Sequence, residues 1–149
     1  MASTYDLFKR AERIEALAGA IYGALAKQFR DDERTRALFA RLEAEEHQHA
    51  SRIRLLVGTY RNDPKLMEKV NGAEGLEACI AAGEAAFVEV AAGAWGSDLR
   101  EVKRRLAMLE AQLSKAHVQL LAQNANPALL DFFRQLALQD EAHAELLKP

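Results

Sequence analysis

The sequence predicts an all-α protein: a four-helix bundle made of two helical hairpins joined by a long crossover that contains an additional helix. Three observations predict it. Only three prolines and eight glycines punctuate the 149 residues, and alternating strand-type runs are absent. Ala, Leu, Glu, Arg and Gln dominate, residues with high or moderate helix propensity. Apolar residues recur at steps of three and four along four long stretches, which is the spacing of one helix face. The chain, residues 1–149, reads as a single domain long enough to bury a core.

The first helix is expected over about residues 4–29, with a seam of Leu7, Ala11, Ile14, Ala18, Ile21 and Leu25. Beside that seam, at steps of seven, run Phe8, Glu15, Tyr22 and Phe29. Asp31 and Asp32 open the second helix, about 32–60, whose seam is Phe39, Leu42, Glu46, His49, Ile53, Leu56 and Tyr60. Arg61-Asn62-Asp63-Pro64 breaks the pattern, and Asn71-Gly72 closes a short segment. A third helix, about 73–92, ends at Gly93 and Gly96. Its face of Leu76, Ile80, Gly83, Phe87 and Val90 can pack against the bundle or against a second copy of the chain in a homodimer. Ser97 or Asp98 caps the fourth helix, about 98–124, where Glu110 and His117 take the places of Glu15 and Tyr22. Asn126-Pro127 is a cap followed by a first-turn proline. It starts the fifth helix, about 127–147, with the seam Leu129, Phe133, Leu136, Asp140, His143 and Leu147.

Two of these seams carry a carboxylate and a histidine three residues apart, Glu46 with His49 and Asp140 with His143. At that spacing the two side chains share a helix face. Each pair has a partner glutamate in the preceding hairpin helix, Glu15 or Glu110, at separations of 31 and 30 residues. All four carboxylates stand 13 or 14 residues from their hairpin turns, roughly 20 Å of helix. Antiparallel hairpins therefore bring them to one level. Four ionised carboxylates in a dry core repel one another unless cations neutralise them. Two divalent ions held by Glu15, Glu46, His49, Glu110, Asp140 and His143 solve that problem. Mixed oxygen and nitrogen donors suit iron, manganese or zinc. Tyr22 and His117 face the same interior and read as residues that support the ligands, and no catalytic residue is expected beyond the metal centre.

Bulk properties exclude several function classes. A net charge of −2 gives no electrostatic reason to expect nucleic acid or an anionic membrane as a partner. The most apolar stretch still carries Glu74, Glu77, Glu84 and Glu89, too many charges for a membrane span. One cysteine, Cys79, excludes an internal disulfide and a Cys-rich metal site. With Asp6, Lys9 and Arg10 interrupting any apolar run at the N-terminus, the expected location is the cytoplasm.

Ile14-Glu15-Ala16-Leu17 with Tyr22, and Glu46-His47-Gln48-His49-Ala50-Ser51-Arg52, resemble the rubrerythrin branch of the ferritin-like superfamily. The resemblance implies a ferritin-like bundle, a non-haem di-iron centre at these carboxylates and histidines, and oxidoreductase chemistry of the peroxidase or ferroxidase type. The oxidant is then peroxide or oxygen. The chain departs from the family pattern at three places. It has no Cys-rich rubredoxin module, which implies an external electron donor. Asp140 replaces the usual glutamate, and Leu113 stands where many members carry another. Two alternatives to the redox enzyme are an iron-handling ferroxidase and a metal-free helical interaction scaffold.

Overall fold

Helix ends in this chain have identifiable local causes. The computed structural model describes residues 2–60, 62, 64, 69–70, 73–123 and 127–148. Helix α1 spans Thr4–Gln28, α2 Glu33–Tyr60, α3 Ala73–Ala91, α4 Leu99–Gln123 and α5 Pro127–Leu146. Ser3 opens α1 with a capping box. Its hydroxyl accepts from the Asp6 amide at 3.1 Å, and Asp6 accepts from the Ser3 amide at 3.0 Å. Asp32 caps α2 by accepting from the Thr35 amide and hydroxyl, and Asp98 accepts from the Arg100 amide at the start of α4. Gly93 and Gly96 adopt φ of 72° and 75°, the left-handed backbone that stops α3. The breaks expected at Arg61, Asp63, Asn71-Gly72 and Asn126 lie outside the described residues.

A two-residue antiparallel pair was not expected. Strand β1, Ala2–Ser3, pairs with β2, Lys69–Val70, placing Ala2 opposite Val70 and Ser3 opposite Lys69. Two residues are too few to show an alternation, so this contact leaves no periodic trace.

α1 packs along α2 and α4 along α5, the two hairpins, while α3 lies against both α1 and α4. The buried face of α3 differs from the expected one. Leu76, Cys79, Ala86 and Val90 are buried, whereas Phe87 is 36% exposed. A helix laid across two neighbours buries a wide stripe, and the small residues Cys79, Gly83 and Ala86 allow it to approach. Arg10–Glu77 and Arg13–Glu84 ion pairs, at 2.9 and 3.5 Å, flank this contact.

The apolar core has two parts. One gathers Leu7, Phe8, Ile14, Ile53, Leu120 and Phe133. The other gathers Tyr22, Leu25, Phe39, Trp95, Val102 and Leu147. Between them in sequence, on every one of the four bundle helices, lie buried ionisable residues: Glu15, Glu46, His49, Glu110, Asp140 and His143, while the buried His117 falls among the first group on α4.

Candidate metal centre

Each hairpin contributes to this layer through the same helical register. Glu15 comes from α1, Glu46 and His49 from α2, Glu110 from α4, and Asp140 and His143 from α5. All six are at most 8% exposed. Five of them fall into two groups of three, Glu15–Glu46–His49 and Glu46–Glu110–His143, with the donor atoms of each group within 4.8 Å of one another. Glu46 belongs to both. His49 Nδ1 lies 3.4 Å from Glu15 Oε2 and 3.6 Å from Glu46 Oε2. His143 Nδ1 lies 2.7 Å from Glu46 Oε1 and 3.4 Å from Glu110 Oε1. The two imidazoles stack at 5.8 Å with 13° between their planes.

Asp140 stands outside both groups. Its Oδ2 is 2.7 Å from Nδ1 of the fully buried His117. Asp is one methylene shorter than Glu, and here its carboxyl is engaged by α4 rather than by the donors of the second group. Tyr22 is also placed on a ligand, its hydroxyl donating to Glu110 Oε1 at 2.5 Å. Glu84 is more than half exposed and pairs with Arg13, whereas Glu110 is buried and grouped with Glu46 and His143. His47 is exposed on the flank of α2.

Seam reading overlooked Glu45. Its carboxylate accepts from His143 Nε2 at 2.8 Å and is itself held by Arg41 at 3.1 Å. This contact fixes the His143 ring and leaves Nδ1 turned to Glu46 and Glu110, the way a carboxylate orients a metal-binding imidazole. The available signal was two consecutive glutamates, Glu45-Glu46. A seam counts only the second, because its neighbour points about 100° away around the helix.

The protonation pattern follows from burial. Burial, then the Glu46 charge, raises the Glu15 pKa to about 8. Burial and the surrounding glutamates push Asp140 well above the usual carboxylate range. Burial opposes charge on His49 and His143, but the facing carboxylates win. Glu15 and Glu46 raise His49 to about 9, and Glu110 and Glu46 raise His143 to about 11. Glu46 is lowered despite burial, because Glu15, His143 and His49 all stabilise its charge. Burial pulls His117 down to about 4, outweighing a weaker opposing effect of the Glu15 charge, so it stays neutral. Protons thus supply the neutralising charge that four carboxylates require.

Protons serve this arrangement poorly. Both oxygens of Glu15, Glu46 Oε2, Glu110 Oε2 and His143 Nδ1 are buried without a hydrogen-bond partner, and each such group costs about 1–3 kcal/mol. His143 Nδ1 is near Glu46, yet the direction of approach is wrong for a hydrogen bond. Acceptor atoms that crowd together without bonding one another fit a shared cation. The donor set, carboxylate oxygen with imidazole nitrogen, fits iron, manganese or zinc.

Among known families, the rubrerythrin model matches residues 6–149 of the chain. No curated protein matches it, and neither does any solved structure.

Proposed function

Because this chain belongs to the rubrerythrin family, we propose that it is a di-iron oxidoreductase whose centre is oxidised by peroxide or oxygen and re-reduced by an external electron donor. The observation that carries the reading is Glu46, one buried carboxylate common to two three-donor groups. In this reading Glu15, Glu46 and His49 hold one ion, while Glu46, Glu110 and His143 hold the other. Two iron ions supply a reversible one-electron change each and open positions for a small oxidant.

The protein's own residues then have definable tasks. Glu45 keeps a proton on His143 Nε2 and so reserves Nδ1 for ligation. Tyr22 holds Glu110 through its hydroxyl. Burial lifts the Tyr22 pKa well above the ordinary value, so that oxygen keeps its proton. His117 holds Asp140 in a hydrogen bond, and both favour their neutral forms because both are buried. Apolar side chains on either side of the layer exclude bulk water and strengthen every charge interaction within it. We place the protein in the cytoplasm. Cys79 is buried and its thiol is pushed up to about 11, so nothing calls for an oxidising compartment. No helix among the described residues is long and apolar enough to cross a membrane.

Elemental analysis of purified protein tests the reading. Two ions per chain are expected in the wild type, and the Glu46→Ala/His49→Ala double variant should retain almost none. Unchanged metal stoichiometry in a folded double variant would overturn it.

A further inference from the structure

Beside the polar layer, a cavity of about 30 Å³ lies among α1, α3 and α4. That is room for one very small molecule and for no organic substrate. Leu17, Leu109 and Leu113 supply apolar walls, Gly83 leaves a gap in α3, and Glu110 of the second donor group completes the lining. The polar groups here are mostly engaged. The Tyr22 hydroxyl is bonded to Glu110 and the Cys79 thiol faces the Gln112 carbonyl at 3.8 Å. Glu110 Oε2 remains without a partner, a single acceptor where a buried water needs at least two partners.

Size and chemistry together select the occupant. A buried water needs two to four polar partners, and hydrogen peroxide, with two hydroxyls, needs no fewer. Dioxygen needs none. Leu113 is decisive, since it lies one helical turn from Glu110 and turns an apolar side chain to the cavity where a carboxylate would have made it wet. We propose that this cavity is a binding site for dioxygen, held by apolar walls beside Glu110. Its relevance to redox chemistry rests on the metal reading, while its existence as a gas site does not.

Gly83 provides the test. A methyl group there would meet Leu17 at 3.4–3.5 Å, an ordinary contact, so Gly83→Ala narrows the cavity without a clash and also favours the helix. Methyl NMR of the full chain with zinc added, under oxygen pressure, reads the local paramagnetic relaxation. The Leu17, Leu109 and Leu113 methyls should relax several-fold more than the buried methyls of Leu25 and Leu42. Gly83→Ala should reduce that excess to the background. Uniform relaxation of all buried methyls overturns the proposal, as does an unchanged excess in folded Gly83→Ala or a water contact to the Leu113 methyls. Zinc retention is measured on the same sample. Failure to bind metal therefore counts against the centre and leaves the cavity result standing.

Discussion

Glu46 carries a different burden from its neighbours, and substitutions should expose it. Glu46→Gln removes the charge common to both groups and should lower bound metal from two ions towards none. Glu15→Gln or Glu110→Gln touches one group and should leave about one ion, whereas Glu84→Gln, on the exposed face of α3, should leave both. Elemental analysis distinguishes these outcomes, and equal losses for Glu46 and Glu15 would contradict a shared carboxylate. Glu45→Gln should weaken the second ion by about tenfold or more, the usual effect of removing the carboxylate behind a ligating imidazole. Calorimetric titration would show it as one weakened affinity beside one unchanged. Most of the candidate ligands are legible in the sequence, because a charged residue on an apolar seam contradicts its surroundings. Glu45 is not, since a carboxylate beside the seam resembles any solvated one. Asp140 is legible as a buried acid but not as the partner of His117, because seam position specifies a face and a level, not the direction of a short side chain.

At the scale of elements, α3 links the hairpins, and its termination decides where α4 begins. Gly93 has φ of +72°, and a methyl group added there would meet nothing within 4 Å. Gly93→Ala would therefore cost only the left-handed backbone, about 1 kcal/mol. A melting temperature lower by roughly 2–4 °C is expected, with metal stoichiometry unchanged. The turn is further held by Gln28, whose side-chain amide donates to the Gly96 carbonyl at 2.8 Å. Trp95 is also buried, its indole donating to Glu89 at 2.6 Å. Glycine punctuation announces this turn in the sequence. The face that α3 buries is less legible, because Ala, Gly and Cys supply weak periodicity and two neighbouring helices widen the stripe.

For the whole molecule, the polar layer makes stability depend on what neutralises it. The Glu15 pKa is raised from 4.5 to about 8, so its protonated form contributes stability in full below about pH 4.5. That contribution is lost as pH rises through about 8. The His49 pKa is raised from 6.5 to about 9, so its contribution, of the same sign, is present below about pH 6.5 and lost as pH rises through about 9. Metal-free protein should therefore melt several degrees lower at about pH 9 than at about pH 7. Metal-loaded protein, whose charges are neutralised by ions, should show a much flatter profile. Metal uptake should release protons, measurable as a buffer-dependent binding enthalpy. A metal-free protein whose melting temperature is level across this range would contradict the protonation pattern.

Helix formation and the level of the buried acids were determined by the sequence alone, because propensity, caps and the 3.6-residue period act within one helix. Spacing within a hairpin carries Glu15 to the depth of Glu46 for the same reason. Only the tertiary structure decided that Glu46 faces both histidines and that Glu45 reaches His143 across 98 residues. The same holds for His117, which takes up Asp140 instead of leaving it to the second group. These contacts join different helices. They depend on how far apart the helices pack and which rotamer each side chain adopts between them, and no repeat along a single helix encodes either.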